Sequence, residues 1–234
     1  MPQFVHLHVH SQYSILDGQA SIQRLVDKAM ADGQPGIAIT DHGDMFGIKE
    51  FYNYVKKVKG KLKDKAADCE KRLEELRGGE AGAAIADCEK QLAELKRKLA
   101  FKPIIGCEVY VARRRLHDKE GKPDQSGYHL ILLAKNLKGY HNLIKIVSKA
   151  WTEGFYMRPR TDRVEIEKYH EGLICCSACL AGEVPRAITA DDMQKAEEAI
   201  LWHKKLFGDD YYLELQLHKA TVERANHEAY PMQL

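Results

Sequence analysis

Three histidines alternate along the first apolar stretch of the chain, Phe4-Val5-His6-Leu7-His8-Val9-His10. On a β-strand successive side chains point to opposite faces. His6, His8 and His10 therefore share one side, and Val5, Leu7 and Val9 form the other, which reads as a packing surface. Each buried imidazole needs partners for two ring nitrogens, and neighbouring ones multiply that demand. A metal centre meets it, because neutral imidazole ligates zinc, manganese and iron. A surface histidine run at a sheet edge is the competing explanation.

Further donors recur along the chain. Asp17 precedes Gly18, Asp41-His42-Gly43 follows an apolar run, Glu108 lies within one, and His129 and Cys179 lie in or after others. Taken singly, each has an ordinary reading. Asp17 fits turn chemistry, His42 a loop, His129 a satisfied core histidine, and Cys179 a small hydrophobe. Glu108 is harder to dismiss, since a buried carboxylate requires a cation or a partner. Together, His8, His10, Asp17, His42, Glu108, His129 and Cys179 are a nitrogen, oxygen and sulfur set suited to several divalent ions rather than one tetrahedral zinc. A carboxylate among them can bridge two metals for in-line phosphoryl displacement. Cys176-Ser177-Ala178-Cys179 is a single C-x-x-C without a second pair. Cys175 and Cys179 are expected on one strand face and Cys176 on the other, which weakens a redox reading.

The elements that must position these residues alternate between strand and helix. A helix is expected over about Ser21–Asp32, with Ile22, Leu25, Val26 and Ala29 on one face, ended by Gly33. Residues 36–43 read as a strand buried on both sides, and a helix starts near Phe46. Strands follow at 103–111, 128–134, 172–179 and 211–218. Helices are expected over Tyr140–Trp151, after a capping Asp162, over about Asp191–Phe207, and from Thr221. His10, His42, Glu108, Cys179 and His218 fall at C-terminal ends of strands. Alternation predicts a parallel α/β architecture. No glycine-rich loop follows the first strand, which favours a barrel over a doubly wound sheet.

Between residues 55 and 99 the composition shifts to Lys, Glu, Ala and Leu. Ala67-Asp68-Cys69-Glu70-Lys71-Arg72-Leu73 is echoed by Ala86-Asp87-Cys88-Glu89-Lys90-Gln91-Leu92. Apolar residues step by alternating four and three in both runs, which predicts an antiparallel helical hairpin. Folding at Gly78–Gly82 aligns Leu73 with Cys88 and Cys69 with Leu92. Each cysteine would then face a leucine, as a reduced seam residue rather than a disulfide partner or zinc ligand.

The bounds are those of an ordinary globular protein: 234 residues, 44% hydrophobic, 30% charged and a formal net charge of +2. No stretch approaches the roughly 20 apolar residues of a membrane span. The start lacks a secretion signal, so a cytoplasmic location is expected. The six cysteines form no secreted-type framework. Arg113-Arg114-Arg115 and Arg158-Pro159-Arg160 could touch phosphates, but solvated charge runs explain them more simply.

His8-Val9-His10-Ser11, Asp17-Gly18, Ile39-Thr40-Asp41-His42-Gly43 and Ile105-Gly106-Cys107-Glu108 together resemble the PHP (polymerase and histidinol phosphatase) family. Residues 4–18, 102–111, 128–133, 153–160 and 172–183 are similar to the PHP domains at the amino terminus of bacterial replicative polymerases. The resemblance implies a distorted seven-stranded (β/α) barrel over residues 1–234, with the hairpin inserted at 57–100. It implies up to three divalent metals (zinc, manganese or magnesium) held by His8, His10, Asp17, His42, Glu108, His129 and Cys179. His6 stands outside the family's His-x-His pair. The closing Asp-x-His pair has no match after His218, so the barrel is expected to lack its last strand and the site to be incomplete.

The implied function is metal-dependent 3′–5′ exonuclease or phosphoesterase chemistry, with metal-activated water as nucleophile. It would sit in a DNA-directed DNA polymerase whose nucleotidyl transfer resides elsewhere, and whose partners are DNA and other replication subunits. A structural or protein-binding domain without turnover, and a free-standing histidinol phosphatase, are the alternatives.

Overall fold

The computed structural model describes residues 4–77 and 82–216. The chain divides into two compact units, one comprising Met1–Ile39 and Phe46–Ile104, the other Thr40–Met45 and Ile105 onward.

In the first unit the opening stretch is extended, and the Ala38 N–H donates to His6 O at 2.9 Å. It is not a regular strand, however, and the expected buried face does not form: Leu7 is 42% exposed. Alternation predicts burial only where a sheet face is covered, and Leu7 is left in solvent. His6 is exposed too, its ring edge-on to Phe4 at 4.7 Å.

Helix α1 (Ile22–Ala31) is capped by Ser21, whose side chain accepts from the Arg24 N–H, and buries Ile22, Val26, Ala29 and Met30. Strand β1 (Gly36–Ile39) is buried throughout, as its continuous apolar run requires.

Helix α2 (Ile48–Leu76) runs 29 residues without interruption. The helix expected near Phe46 and the first arm of the hairpin are thus one element. Its first turns bury Ile48, Phe51 and Val55, and its later turns bury Ala66, Cys69 and Leu73. Those later residues pack against Cys88 and Leu92 of α3 (Gly82–Leu99), with Leu76, Ile85, Leu95 and Leu99 at the margins. Residues 78–81, where the turn is expected, lie outside the described range.

The seam holds the expected residues, but the pairing differs. Cys69 meets Cys88, with Sγ atoms 3.2 Å apart and each Sγ 3.3 Å from the other residue's carbonyl oxygen. Antiparallel helices interlock between turns, so the residue opposite Cys69 is set by how knobs fill holes, and not by counting from the turn. Both thiols are free. The hydrogen bond to Cys88, followed by burial, raises the Cys69 pKa.

Arg97 closes the hairpin's base by donating to Met30 O at 3.2 Å. Replacing Leu62–Leu95 with a short glycine-serine bridge should therefore leave a folded chain, provided Arg97 is retained. Far-UV circular dichroism would show helix lost in proportion to the excised segment and a cooperative melt preserved.

The second unit is built on β2 (Lys102–Val111), which begins in the first unit. β3 (Tyr128–Ala134) pairs antiparallel with β2, and β5 (Leu173–Cys176) antiparallel with β3. β6 (Tyr211–Tyr212) runs parallel to β5, and β4 (Arg160–Thr161) parallel to β2. The α/β class stands, and this mixed sheet fits a distorted barrel. The purely parallel order does not hold, because β3 runs against both neighbours. β6 ends well before His218, which lies outside the described residues together with the helix expected from Thr221.

Alternation sorts the two faces of this sheet. Cys107, Val109, Val111, Leu130, Leu132 and Cys175 enter one core with Leu143, Ile146 and Val147 of α4 (Leu137–Thr152). Ile166 of α5 (Arg163–Tyr169) and Phe207 of α6 (Met193–Phe207) complete it. Full burial of each large side chain contributes about 1.5–3 kcal/mol. Asp162 caps α5 as expected, accepting from the Glu165 N–H at 3.0 Å. The opposite face carries Glu108, Tyr110 and His129.

Two expectations change here. Cys175 is in the core, whereas the strand ends at Cys176 and Cys179 lies in the loop beyond, so Cys175 and Cys179 share no strand face. The Arg158-Pro159-Arg160 run is not a solvated patch, because Arg160 is fully buried. The Arg113–Arg115 run is internally engaged: Arg114 pairs with Glu120 and Asp124, Arg115 with Asp162, and Arg113 lies over the Tyr128 ring.

Candidate metal centre

The chain leaves β1 and passes beside β2. The Glu108 N–H donates to Asp41 O at 3.1 Å, and the Gly43 N–H donates to Glu108 O at 2.8 Å. These bonds make a parallel bridge that sets His42 alongside Glu108. Gly43 has φ of 67°, and a Cβ there would lie 2.6 Å from Pro159 Cγ, so only glycine turns the chain at this point.

Glu108 is completely buried. Its Oε1 lies 2.7 Å from His129 Nδ1, and its Oε2 contacts His42 Nδ1. His129 is the second residue of β3 and reaches Glu108 because β3 is antiparallel: Tyr110 pairs with His129, and Glu108 with Ile131. The start of one strand therefore meets the later part of the other.

Cys179 is delivered by a tight loop in which Ala178 has φ of 61° and the Gly182 N–H donates to Cys179 O at 2.9 Å. The His129 N–H fastens this loop by donating to Ala181 O at 3.1 Å. Cys179 Sγ then lies 3.6 Å from His129 Nδ1 and 3.8 Å from Glu108 Oε1. Burial pushes the Cys179 thiol pKa up and the Glu108 charge adds to the shift, while the Ala181 backbone N–H opposes it.

His42, Glu108 and His129 each bring a ligand atom within 4.8 Å of the others. Imidazole nitrogens, a buried carboxylate and a neighbouring sulfur match the donor chemistry of a divalent cation. A cation would also balance a charge that burial otherwise penalises.

Tyr110, which no sequence motif marks, joins this group. Its ring lies near-parallel to His42 with centroids 6.1 Å apart, and edge-on to His129 at 5.1 Å. A tyrosine in an apolar strand reads as core, yet its position two residues from Glu108 already places it on the same face.

In the first unit, His10 Nδ1 lies 3.4 Å from Asp17 Oδ2, and the His8 and His10 ring centroids are 5.1 Å apart. The Ser11–Gly18 loop brings Asp17 back to His10. Within it, the Gly18 N–H donates to Ser14 O at 2.7 Å, and a Cβ at Gly18 would fall 1.8 Å from Ser11 O. The glycine after Asp17 is thus a requirement of packing. His8, His10 and Asp17 form one group and His42, Glu108, His129 and Cys179 another, each assembled within its own unit.

A family model described as "PHP domain" matches residues 6–218. DNA polymerase III subunit alpha of Borreliella burgdorferi is 42% identical over 217 residues, covering 92% of this chain and 15% of that protein. The same-named proteins of Treponema pallidum and Aquifex aeolicus are 39% and 37% identical, over 94% and 91% of this chain and 16% and 15% of theirs. The chain thus spans about 15% of the length of these relatives. The family model covers most of the sequence and includes every donor described above, so the chain belongs to the PHP domain family.

Proposed function

We propose that this chain is the PHP portion of a replicative DNA polymerase alpha subunit and carries a metal-dependent phosphoesterase site acting on the 3′ end of DNA. The ligands would be His8, His10, Asp17, His42, Glu108, His129 and Cys179, and the metals zinc, manganese or magnesium. The observation that carries this reading is the buried Glu108 carboxylate between two imidazoles with a thiol beside it.

Bound divalent ions supply Lewis acidity at a phosphoryl group and lower the pKa of nearby water. The protein's part is placement. Glu108 engages Nδ1 of both imidazoles, which orients each ring and leaves Nε2 as the nitrogen turned from the carboxylate. The sheet that carries Glu108 and His129 has its other face in the core, so the pair sits on rigid backbone. DNA polymerisation itself would belong to the rest of the polypeptide, and DNA and further replication subunits would be its partners. No described helix is long and apolar enough to cross a membrane. A cytoplasmic location goes with this role in replication.

The test is shortening of a 3′-labelled single strand by the complete polypeptide in manganese- or zinc-containing buffer. His129→Ala should lower the rate at least about 100-fold, as loss of a metal-site contact does. Unchanged degradation would assign the domain a structural role instead.

A further inference from the structure

Beside the candidate metal group, the Glu153–Arg160 segment forms a built loop. A Cβ at Gly154 would lie 1.9 Å from Arg160 O, and the Tyr156 N–H donates to Arg158 O at 3.0 Å. Met157 is held at φ of 61°, a conformation that costs a non-glycine residue energy and recurs at functional sites. Pro159 packs on Gly43, the residue after His42. The loop is thereby fixed with respect to the histidine.

Phe155, Met157 and Arg158 of this loop face solvent. Phe155 is 46% exposed and stacks on Trp151, with centroids 5.6 Å apart and planes at 24°. Trp151 is itself anchored, its Nε1–H donating to Gly43 O at 2.8 Å. Arg158 is exposed, with its guanidinium 5.6 Å from the centroid of Tyr110, the ring that lies against His42 and His129. Among the described residues no carboxylate lies within ion-pair distance of Arg158, whereas Arg114, Arg115 and Arg163 all have acidic partners.

A flat aromatic face and an exposed cation, both rigidly tied to the residue after a metal-site histidine, match one repeating ligand. That ligand has a planar base and an anionic phosphate. We propose that Phe155 and Arg158 form a nucleotide subsite that receives a single-stranded nucleic acid, its base stacked on Phe155 and its phosphate met by Arg158. This rests on the phosphoesterase reading and names its substrate class. A duplex satisfies base stacking internally and offers no free face to Phe155, so the subsite selects unpaired strands.

The experiment is binding without turnover. A Trp202→Phe chain keeps Trp151 as its sole tryptophan reporter, and is titrated in EDTA with fluorescein-labelled oligothymidylate or oligouridylate of about 12 nucleotides. Either oligomer should quench Trp151. Phe155→Leu, which keeps apolar bulk without a ring, should weaken binding about tenfold, in line with the loss of one base stack. Arg158→Ala should lower the slope of log affinity against log salt by about 0.7, one phosphate contact on a single strand. The matching duplex should bind more weakly than either single strand. Equal binding by both variants and the parent, or duplex binding as tight as single-strand binding, would overturn the subsite. Because the readout needs neither metal nor hydrolysis, intact binding without strand cleavage would reject only the phosphoesterase reading.

Discussion

A Glu108→Gln chain is expected to lose tight binding of divalent metal while keeping its fold. Glutamine has the shape of glutamate, so the core on the far face of β2, where Cys107 and Val109 are packed, is undisturbed. What changes is charge and acceptor capacity. The carboxylate presents one oxygen to each imidazole, and an amide replaces one oxygen with a donor that cannot serve the same tautomer. Loss of a contact that merely orients a metal-binding histidine costs 10- to 100-fold in affinity, so loss of the central anionic donor should cost at least about 100-fold. Isothermal titration with zinc and manganese, beside circular dichroism of the apo chain, measures both quantities. Metal affinity equal to the parent's would remove Glu108 from the centre.

Glu108 is legible in the sequence because burial makes a carboxylate expensive: an acid inside an apolar strand advertises a partner wherever its strand lies. Asp17-Gly18 and His42-Gly43 are legible for a related reason, since in both a glycine tolerates an approach that a Cβ would block. What stays hidden is strand direction. Residues 128–134 read the same either way, and only the register with β2 shows that His129 meets Glu108 from the start of its strand. The apolar face expected at Val5, Leu7 and Val9 fails because alternation carries no information on what covers the face. The hairpin seam was readable in membership but not in pairing, since heptad spacing fixes which residues line a seam and interlocking fixes which of them touch.

Arg160→Ala should be among the most destabilising single changes in the second unit. Charge runs are ordinarily solvated, so arginine in Arg158-Pro159-Arg160 gives no warning of burial. Here the guanidinium is wholly enclosed, and its hydrogen bonds go to main-chain carbonyls. Nε donates to Gly154 O at 3.1 Å, and Nη2 to Leu116 O at 3.1 Å and Asp118 O at 3.0 Å. It thus ties the loop that carries Arg158 to the segment after β2. Burial pulls its pKa below the ordinary arginine value while Asp124 and Asp118 pull it back up.

Truncation to alanine leaves those carbonyls without their donor and opens a cavity the size of the side chain. Each unsatisfied buried group costs about 1–3 kcal/mol, and part of that is recovered where water enters. A net loss of about 3–5 kcal/mol follows, comparable to removing one partner of a buried ion pair. Arg160→Lys keeps the charge but cannot reach three carbonyls from one planar fork, so it should retain only part of the stability. Urea unfolding of the three chains at one pH gives the comparison. A loss below about 1 kcal/mol for the alanine variant would show that the loop holds itself without this anchor. A large loss together with weakened single-strand binding would show that the residue buried beneath the loop sets the position of Arg158, the one presented above it.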